Sequence, residues 1–294
     1  MKRLLLSLLL LFFLLPLSAR RTIKVACVGN SITYGTGVAN REQNAYPVVL
    51  QRLLGKGYQV ENFGKPGATL LRHGHRPYFD QPEFRAALQF RPDIAVIHLG
   101  INDTDPRNWP NYNSAFDADY QQLINSFRKV NPKAKLWICL MTPIFHPHPR
   151  FESGTRDWHV AIQKHIRCIA KANQVGLIDL HTPLYSRPDL FADALHPNTE
   201  GAEIMAQTIY SATTGDYGGL KMSPLYADEM VMQRQQPIVF RGTANAKERV
   251  EVNFNGQRLS AVTDTNGQWN VSFPAMDAGG SNYFCDLDRI IAFD

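Results

Sequence analysis

The sequence predicts an α/β fold: a five-stranded parallel sheet with helices on both faces, followed by a small, partial β-sandwich-like domain. Three observations predict it. Short β-branched runs alternate with amphipathic stretches up to residue 210, the order expected of a parallel sheet covered on both sides. The runs end in clusters of Gly, Asn, Ser or Asp, where open parallel sheets place their sites. After Thr213 the texture changes to short β-rich runs separated by Gln236-Pro237, Asn255-Gly256 and Asn266-Gly267, and Asn-Gly between alternating apolar residues signals a hairpin.

In chain order, Met1-Lys2-Arg3, an apolar stretch over residues 4–17 and Ser18-Ala19-Arg20 have the layout of a secretory signal peptide occupying residues 1–19. The apolar stretch is shorter than the ~20 residues needed to cross a bilayer, so the expectation is a periplasmic or secreted protein with no stable membrane span. Strands are predicted at 23–28, 59–63, 94–99, 136–141 and 176–180, and helices at 46–54, 82–90, 116–130, 157–172 and 199–210. These form an α/β domain over residues 20–212. A linker follows at 213–221, with a β-rich domain at 222–294 whose strands are predicted at 250–254, 258–263 and 269–273. That region is shorter than the ~100 residues an immunoglobulin-like sandwich takes, hence the expectation of a partial one.

Composition narrows the function. A formal net charge of +5 over 294 residues, without a run of Lys or Arg, argues against a nucleic-acid partner. Four cysteines, Cys27, Cys139, Cys168 and Cys285, are too few and too scattered for a disulfide framework, and none forms a C-x-x-C pair. Cys27 and Cys139 sit inside strand-like runs, where a buried small hydrophobe is the favoured reading. His73, His75, His146 and His148 lack carboxylates at ligand spacing, so no metal is expected.

The chemistry lies in four segments that the fold brings to one rim. Gly29-Asn30-Ser31-Ile32-Thr33 puts a serine at a strand-to-helix turn, where a hydroxyl stands at the sheet edge with its own N–H aimed where an oxyanion forms. A phosphate loop is excluded, because Gly35-Thr36-Gly37 lacks both the Lys-Ser/Thr of a P-loop and the last glycine of a dinucleotide fingerprint. Asn62-Phe-Gly64-Lys-Pro-Gly67-Ala-Thr69 offers the N–H of Gly67 as a second donor, and Gly100-Ile-Asn102-Asp103 a third through the Asn102 amide. Asn102-Asp-Thr104 also reads as a glycosylation sequon. Asp193-Ala-Leu-His196 supplies a carboxylate and an imidazole three residues apart, the partners a serine needs to become a nucleophile.

These four blocks, in this order over residues 23–210, resemble the SGNH (GDSL-type) hydrolase family of lipases and esterases. The resemblance implies a flavodoxin-like three-layer fold, Ser31 as nucleophile, His196 as base, Asp193 as its orienter, and Ser31 N–H, Gly67 N–H and Asn102 as oxyanion-hole donors, with no cofactor. Asn30 stands where that family often has Asp, beside the nucleophile. The stretch from Met222 to Arg234, with Gly267-Gln-Trp269 and Pro274-Ala-Met276, is similar to the opening β module of sialate O-acetylesterases, which implies an acetylated sugar or glycan as substrate. The expected function is a secreted carbohydrate O-acetylesterase, sialate O-acetylesterase-like, working through an acyl-enzyme. The alternatives are a lipase or lysophospholipase of the same fold and a non-catalytic glycan-binding protein. Tyr34, Trp109, Tyr112 and Phe145 are candidates to stack on a sugar ring or to pack in the core.

Overall fold

The computed structural model describes residues 21–149, 154–226, 230–277 and 285–286; the expected signal peptide lies outside them. Strands β1 (Ile23–Gly29), β2 (Tyr58–Gly64), β3 (Ile94–His98), β4 (Lys135–Leu140) and β5 (Gly176–Asp179) form one sheet in the order β2-β1-β3-β4-β5, with every pairing parallel. The central strands read as apolar runs because both of their faces are covered, and all of β3 is buried. At the edge, β2 alternates between half-buried and exposed positions from Tyr58 to Asn62, as a strand with a free side can, before closing on the buried Gly64.

Eight α-helices connect and flank these strands among the described residues: α1 (Ser31–Tyr34), α2 (Arg41–Asn44), α3 (Tyr46–Leu54), α4 (Pro82–Phe90), α5 (Trp109–Tyr112), α6 (Phe116–Val130), α7 (Thr155–Asn173) and α8 (Thr199–Thr214). Packing of α3 on α8, and of α6 on both α4 and α7, divides the longer helices between the two faces of the sheet. The sequence explains α6 well. Phe116, Tyr120, Leu123, Ile124 and Phe127 recur at helical spacing and are all buried, while Asp117 and Asp119 open the helix and Arg128 and Lys129 close it, matching its dipole. Proline in the first turn of α3 and of α4 gives up an N–H that has no helical partner there. Burying each large side chain of this core contributes about 1.5–3 kcal/mol.

The C-terminal region contains β6 (Lys221–Met222), β7 (Ile238–Thr243), β8 (Arg249–Phe254), β9 (Gln257–Val262), β10 (Gln268–Phe273) and β11 (Cys285–Asp286). They form two three-stranded antiparallel sheets, β10-β7-β6 and β11-β8-β9, around Phe240, Val250, Val252, Phe254, Trp269 and Phe273. Two details differ from the sequence reading. Residues Ile238–Thr243 form a strand that the Pro237 turn signal obscured. Only Asn255-Gly256 closes a hairpin, β8 to β9; Asn266-Gly267 joins β9 to β10, which pairs with β7 in the other sheet. A tight turn fixes a local reversal, whereas apolar burial against the second sheet fixes the partner.

Candidate active site

The carboxyl ends of β1, β2 and β3 and the loop after β5 meet at one rim. Asn30 directly follows β1, and its Oδ1 accepts the N–H of Ile32 at 2.9 Å, capping the single turn of α1 and setting Ser31 at its first position. Ser31 is 7% exposed. Its Oγ lies 2.8 Å from Nε2 of His196, 165 residues away, and Nδ1 of the same ring lies 2.5 Å from Oδ2 of Asp193. The three side chains therefore form a continuous hydrogen-bonded chain.

Local backbone chemistry positions the imidazole. Asp193 Oδ1 accepts the N–H of Leu195 at 3.0 Å and of His196 at 2.7 Å, folding residues 193–196 into a turn that leaves Oδ2 for the ring. Ala194 takes φ +63°, an uncommon conformation for a side-chain-bearing residue. It is held there by its N–H donating to Phe191 O at 2.9 Å and by its carbonyl accepting from Phe145 N at 2.9 Å. Burial tends to raise the Asp193 pKa, but the His196 ring and the two backbone N–H groups outweigh it and hold the carboxyl below its ordinary value, so it stays ionised.

Gly37, which the sequence offered only as part of a failed phosphate loop, packs against the imidazole-bearing residue. A Cβ there would stand 2.9 Å from His196 Cβ and 3.2 Å from Pro197 O, and φ is +86°. Both facts demand glycine. No signal in the sequence distinguished this glycine from an ordinary loop glycine.

The second loop is tied to the end of β1 by Lys65 N–H donating to Gly29 O at 2.9 Å, and to the third by Asn102 Nδ2–H donating to Ala68 O at 3.0 Å. Gly67 adopts φ +77°, which only glycine takes freely. Among the described residues the backbone N–H groups of Ser31 and Gly67 donate to no protein acceptor. The structure thus gathers all five residues singled out in the sequence along three connected loops and the Asp193–His196 turn. Asn102 is 3% exposed, too buried for a glycan.

Asp103 was missed as an organiser. Its side chain is fully buried, and its two oxygens accept the N–H groups of Leu70 at 2.9 Å and Leu71 at 2.8 Å, clamping the Gly67 loop to the Asn102 loop. Burial pushes its carboxyl up to about 7 against the opposing pull of these N–H donors. Deeper still, His98 and His159 are buried and shifted down to about 4, mainly by desolvation; the His159 ring donates from Nε2 to Thr142 O at 3.0 Å.

Of the aromatic candidates, Trp109 is buried edge-on against Phe116 and His165, and Phe145 packs on Phe191. Tyr34 and Tyr112 remain exposed, Tyr34 beneath the Arg41 guanidinium and Tyr112 beside His73. Cys27 and Cys139 are buried free thiols; desolvation raises Cys27 to about 12, leaving it unreactive at neutral pH. No group of three His, Cys, Asp or Glu side chains suited to a metal occurs among the described residues, and none of their helices is long and apolar enough to cross a membrane.

The model of the GDSL-like lipase/acylhydrolase family matches residues 27–204. An acetylxylan esterase of Xylanibacter ruminicola is 36% identical over 217 residues, which cover 67% of this chain and 44% of that protein; the chain thus matches less than half the length of this curated relative. Among solved structures, the acetyl xylan esterase AlAXEase is similar with a TM-score of 0.50 at 24% identity, over 65% of this chain and 99% of the other. A carbohydrate acetylesterase from Sinorhizobium meliloti is similar with a TM-score of 0.53 at 16% identity, over 66% and 99%. At these identities the structural likeness shows the fold.

Proposed function

The chain belongs to the GDSL-like lipase/acylhydrolase family, and from that membership we propose that it is a carboxylic ester hydrolase that removes acetyl groups from carbohydrate. One observation carries the catalytic part of this reading: Ser31 Oγ, the His196 ring and Asp193 Oδ2 stand in one hydrogen-bonded chain, at 2.8 and 2.5 Å. The relative from Xylanibacter ruminicola, named for acetylxylan, supports the substrate class.

In the proposed reaction Ser31 Oγ attacks the ester carbonyl carbon while His196 Nε2 takes its proton. Asp193 Oδ2 accepts the Nδ1–H, fixing the tautomer and stabilising the imidazolium. The carbonyl oxygen becomes an oxyanion that the N–H groups of Ser31 and Gly67 and the Asn102 amide stabilise. As the carbon–oxygen bond to the sugar breaks, His196 returns the proton to the departing hydroxyl. Water, deprotonated by the same imidazole, then attacks the acetyl-serine and releases acetate. No step calls on a cofactor.

The basic, apolar N-terminus of residues 1–17 supports export, so the expected working place is the periplasm or the outside of the cell. Which sugar is deacetylated is open to direct assay: acetate release from acetylated xylan, pectin and sialic acid fragments, compared with long-chain acyl esters. The reading requires that Ser31→Ala and His196→Ala each lower hydrolysis of a chromogenic acetyl ester by about 10⁴-fold or more. Hydrolysis surviving either substitution overturns it, and preference for long acyl chains replaces the carbohydrate esterase with a lipase.

A further inference from the structure

We infer that Arg76 recognises a sugar carboxylate beside the acetylated position, so that the enzyme favours acidic glycans. This rests on the esterase reading of the Ser31 site. The chain after Gly67 doubles back: Thr69 N–H donates to Arg76 O at 2.9 Å and Tyr78 N–H to Thr69 O at 2.9 Å. That reversal lays the Arg76 side chain over Gly67. Its Nη1 and Cδ lie 3.4 and 3.5 Å from where a Gly67 Cβ would be, and Nη1–H donates to Pro66 O at 3.0 Å. The guanidinium is exposed and anchored to the same turn whose N–H is the proposed oxyanion donor.

The surroundings leave this cation for a ligand. Neighbouring cations are engaged with other groups: Lys65 pairs with Glu83, Arg107 with Asp105, and Arg72 donates to Gln122 while stacking on Phe79. Neighbouring carboxylates are engaged too, Asp103 with Leu70 and Leu71 N–H and Asp119 with Arg72 N–H. Among the described residues no ion pair involves Arg76. A planar guanidinium with one N–H committed to Pro66 O retains donors in the fork geometry that fits a carboxylate. In acetylated glycans that carboxylate comes from a hexuronic acid or from sialic acid.

The experiment measures kcat and KM for acetate release from an acetylated galacturonide oligomer, O-acetylated sialic acid and an acetylated xylo-oligosaccharide. The wild type is expected to prefer one of the two acidic substrates, and the better one identifies the source of the carboxylate. Arg76→Gln should reduce the acidic-to-neutral ratio of kcat/KM about tenfold, chiefly through KM. Arg76→Lys should restore part of that ratio, and the remote Lys129→Gln, which removes the same charge from the end of α6, should leave it unchanged. A wild type that prefers the neutral substrate overturns the inference, as does a ratio that Arg76→Gln does not move. Acetate release that survives Ser31→Ala instead overturns the esterase reading, and this inference with it.

Discussion

Asp193 in the α/β region and Asp264 in the C-terminal β region perform the same local task. Asp264 Oδ1 accepts the N–H groups of Asn266 and Gln268, each at 2.8 Å, and so shapes the corner between β9 and β10. Asp193 Oδ1 does the same for Leu195 and His196. The difference is the second oxygen: Asp193 Oδ2 meets the His196 ring, whose far nitrogen reaches Ser31. Turn chemistry is therefore shared by both regions, and the candidate catalyst is a turn to which one long-range contact has been added.

Replacing each aspartate by asparagine sharpens this comparison. At either position Asn keeps a carbonyl oxygen for the two backbone N–H groups. Asp193→Asn, however, then turns its NH₂ toward Nδ1 and favours the tautomer with the proton on Nε2, which cannot take the serine proton, so kcat on a chromogenic acetyl ester should fall by about 10³–10⁴. Asp264→Asn should leave kcat unchanged. Equal effects at the two positions would break the comparison.

A second pair tests the amides. Asn102 donates to Ala68 O at the rim, whereas Asn245 accepts the N–H groups of Tyr217 and Gly219 and donates to Glu248 within the β region. Asn102→Ala should lower kcat about 10²–10³-fold with little change in KM, the signature of a donor used in the transition state. Asn245→Ala should leave kcat alone and lower stability by about 1–3 kcal/mol, read from the urea midpoint, because it strips partners from several polar groups.

The contrast also explains what the sequence disclosed. Strands such as Ile94–His98 and helices such as Pro82–Phe90 and Phe116–Val130 were legible because periodicity and caps are local. Ser31, Gly67 and Asn102 stood out because each lies in a short motif after a strand end, and Asp193 and His196 because they stand three residues apart just before the last helix. Contacts between segments beyond the convergence of these motifs at the rim were not legible. The packing of Gly37 on His196, the clamp of Asp103 on Leu70 and Leu71, and the return of Arg76 over Gly67 each join residues whose proximity exists only after folding. The same limit applied at Asn266-Gly267, where a turn signal could not say which sheet the next strand joins.

The smallest effect concerns stability in acid, and it again separates the two regions. In the α/β region His159 is buried and its folded pKa is lowered to about 4 from 6.5, so the unfolded chain binds its proton first as pH falls. Its contribution is present above pH 6.5 and is lost as pH falls through that value toward 4, amounting to about 2 kcal/mol between pH 7 and 5. His98 acts in the same direction, whereas Asp103, raised to about 7, becomes protonated in the folded state first and gains stability as pH falls. Comparing wild type with His159→Gln removes these common contributions. Gln retains an N–H donor for Thr142 O but cannot titrate, so the loss of urea stability from pH 7 to 5 should be about 2 kcal/mol smaller in the variant. Asp264→Asn, in the region where no buried histidine occurs among the described residues, should show the wild-type loss; a shallower pH dependence there would mean that the corner at Asp264, and not the histidine beneath the rim, carries the acid response.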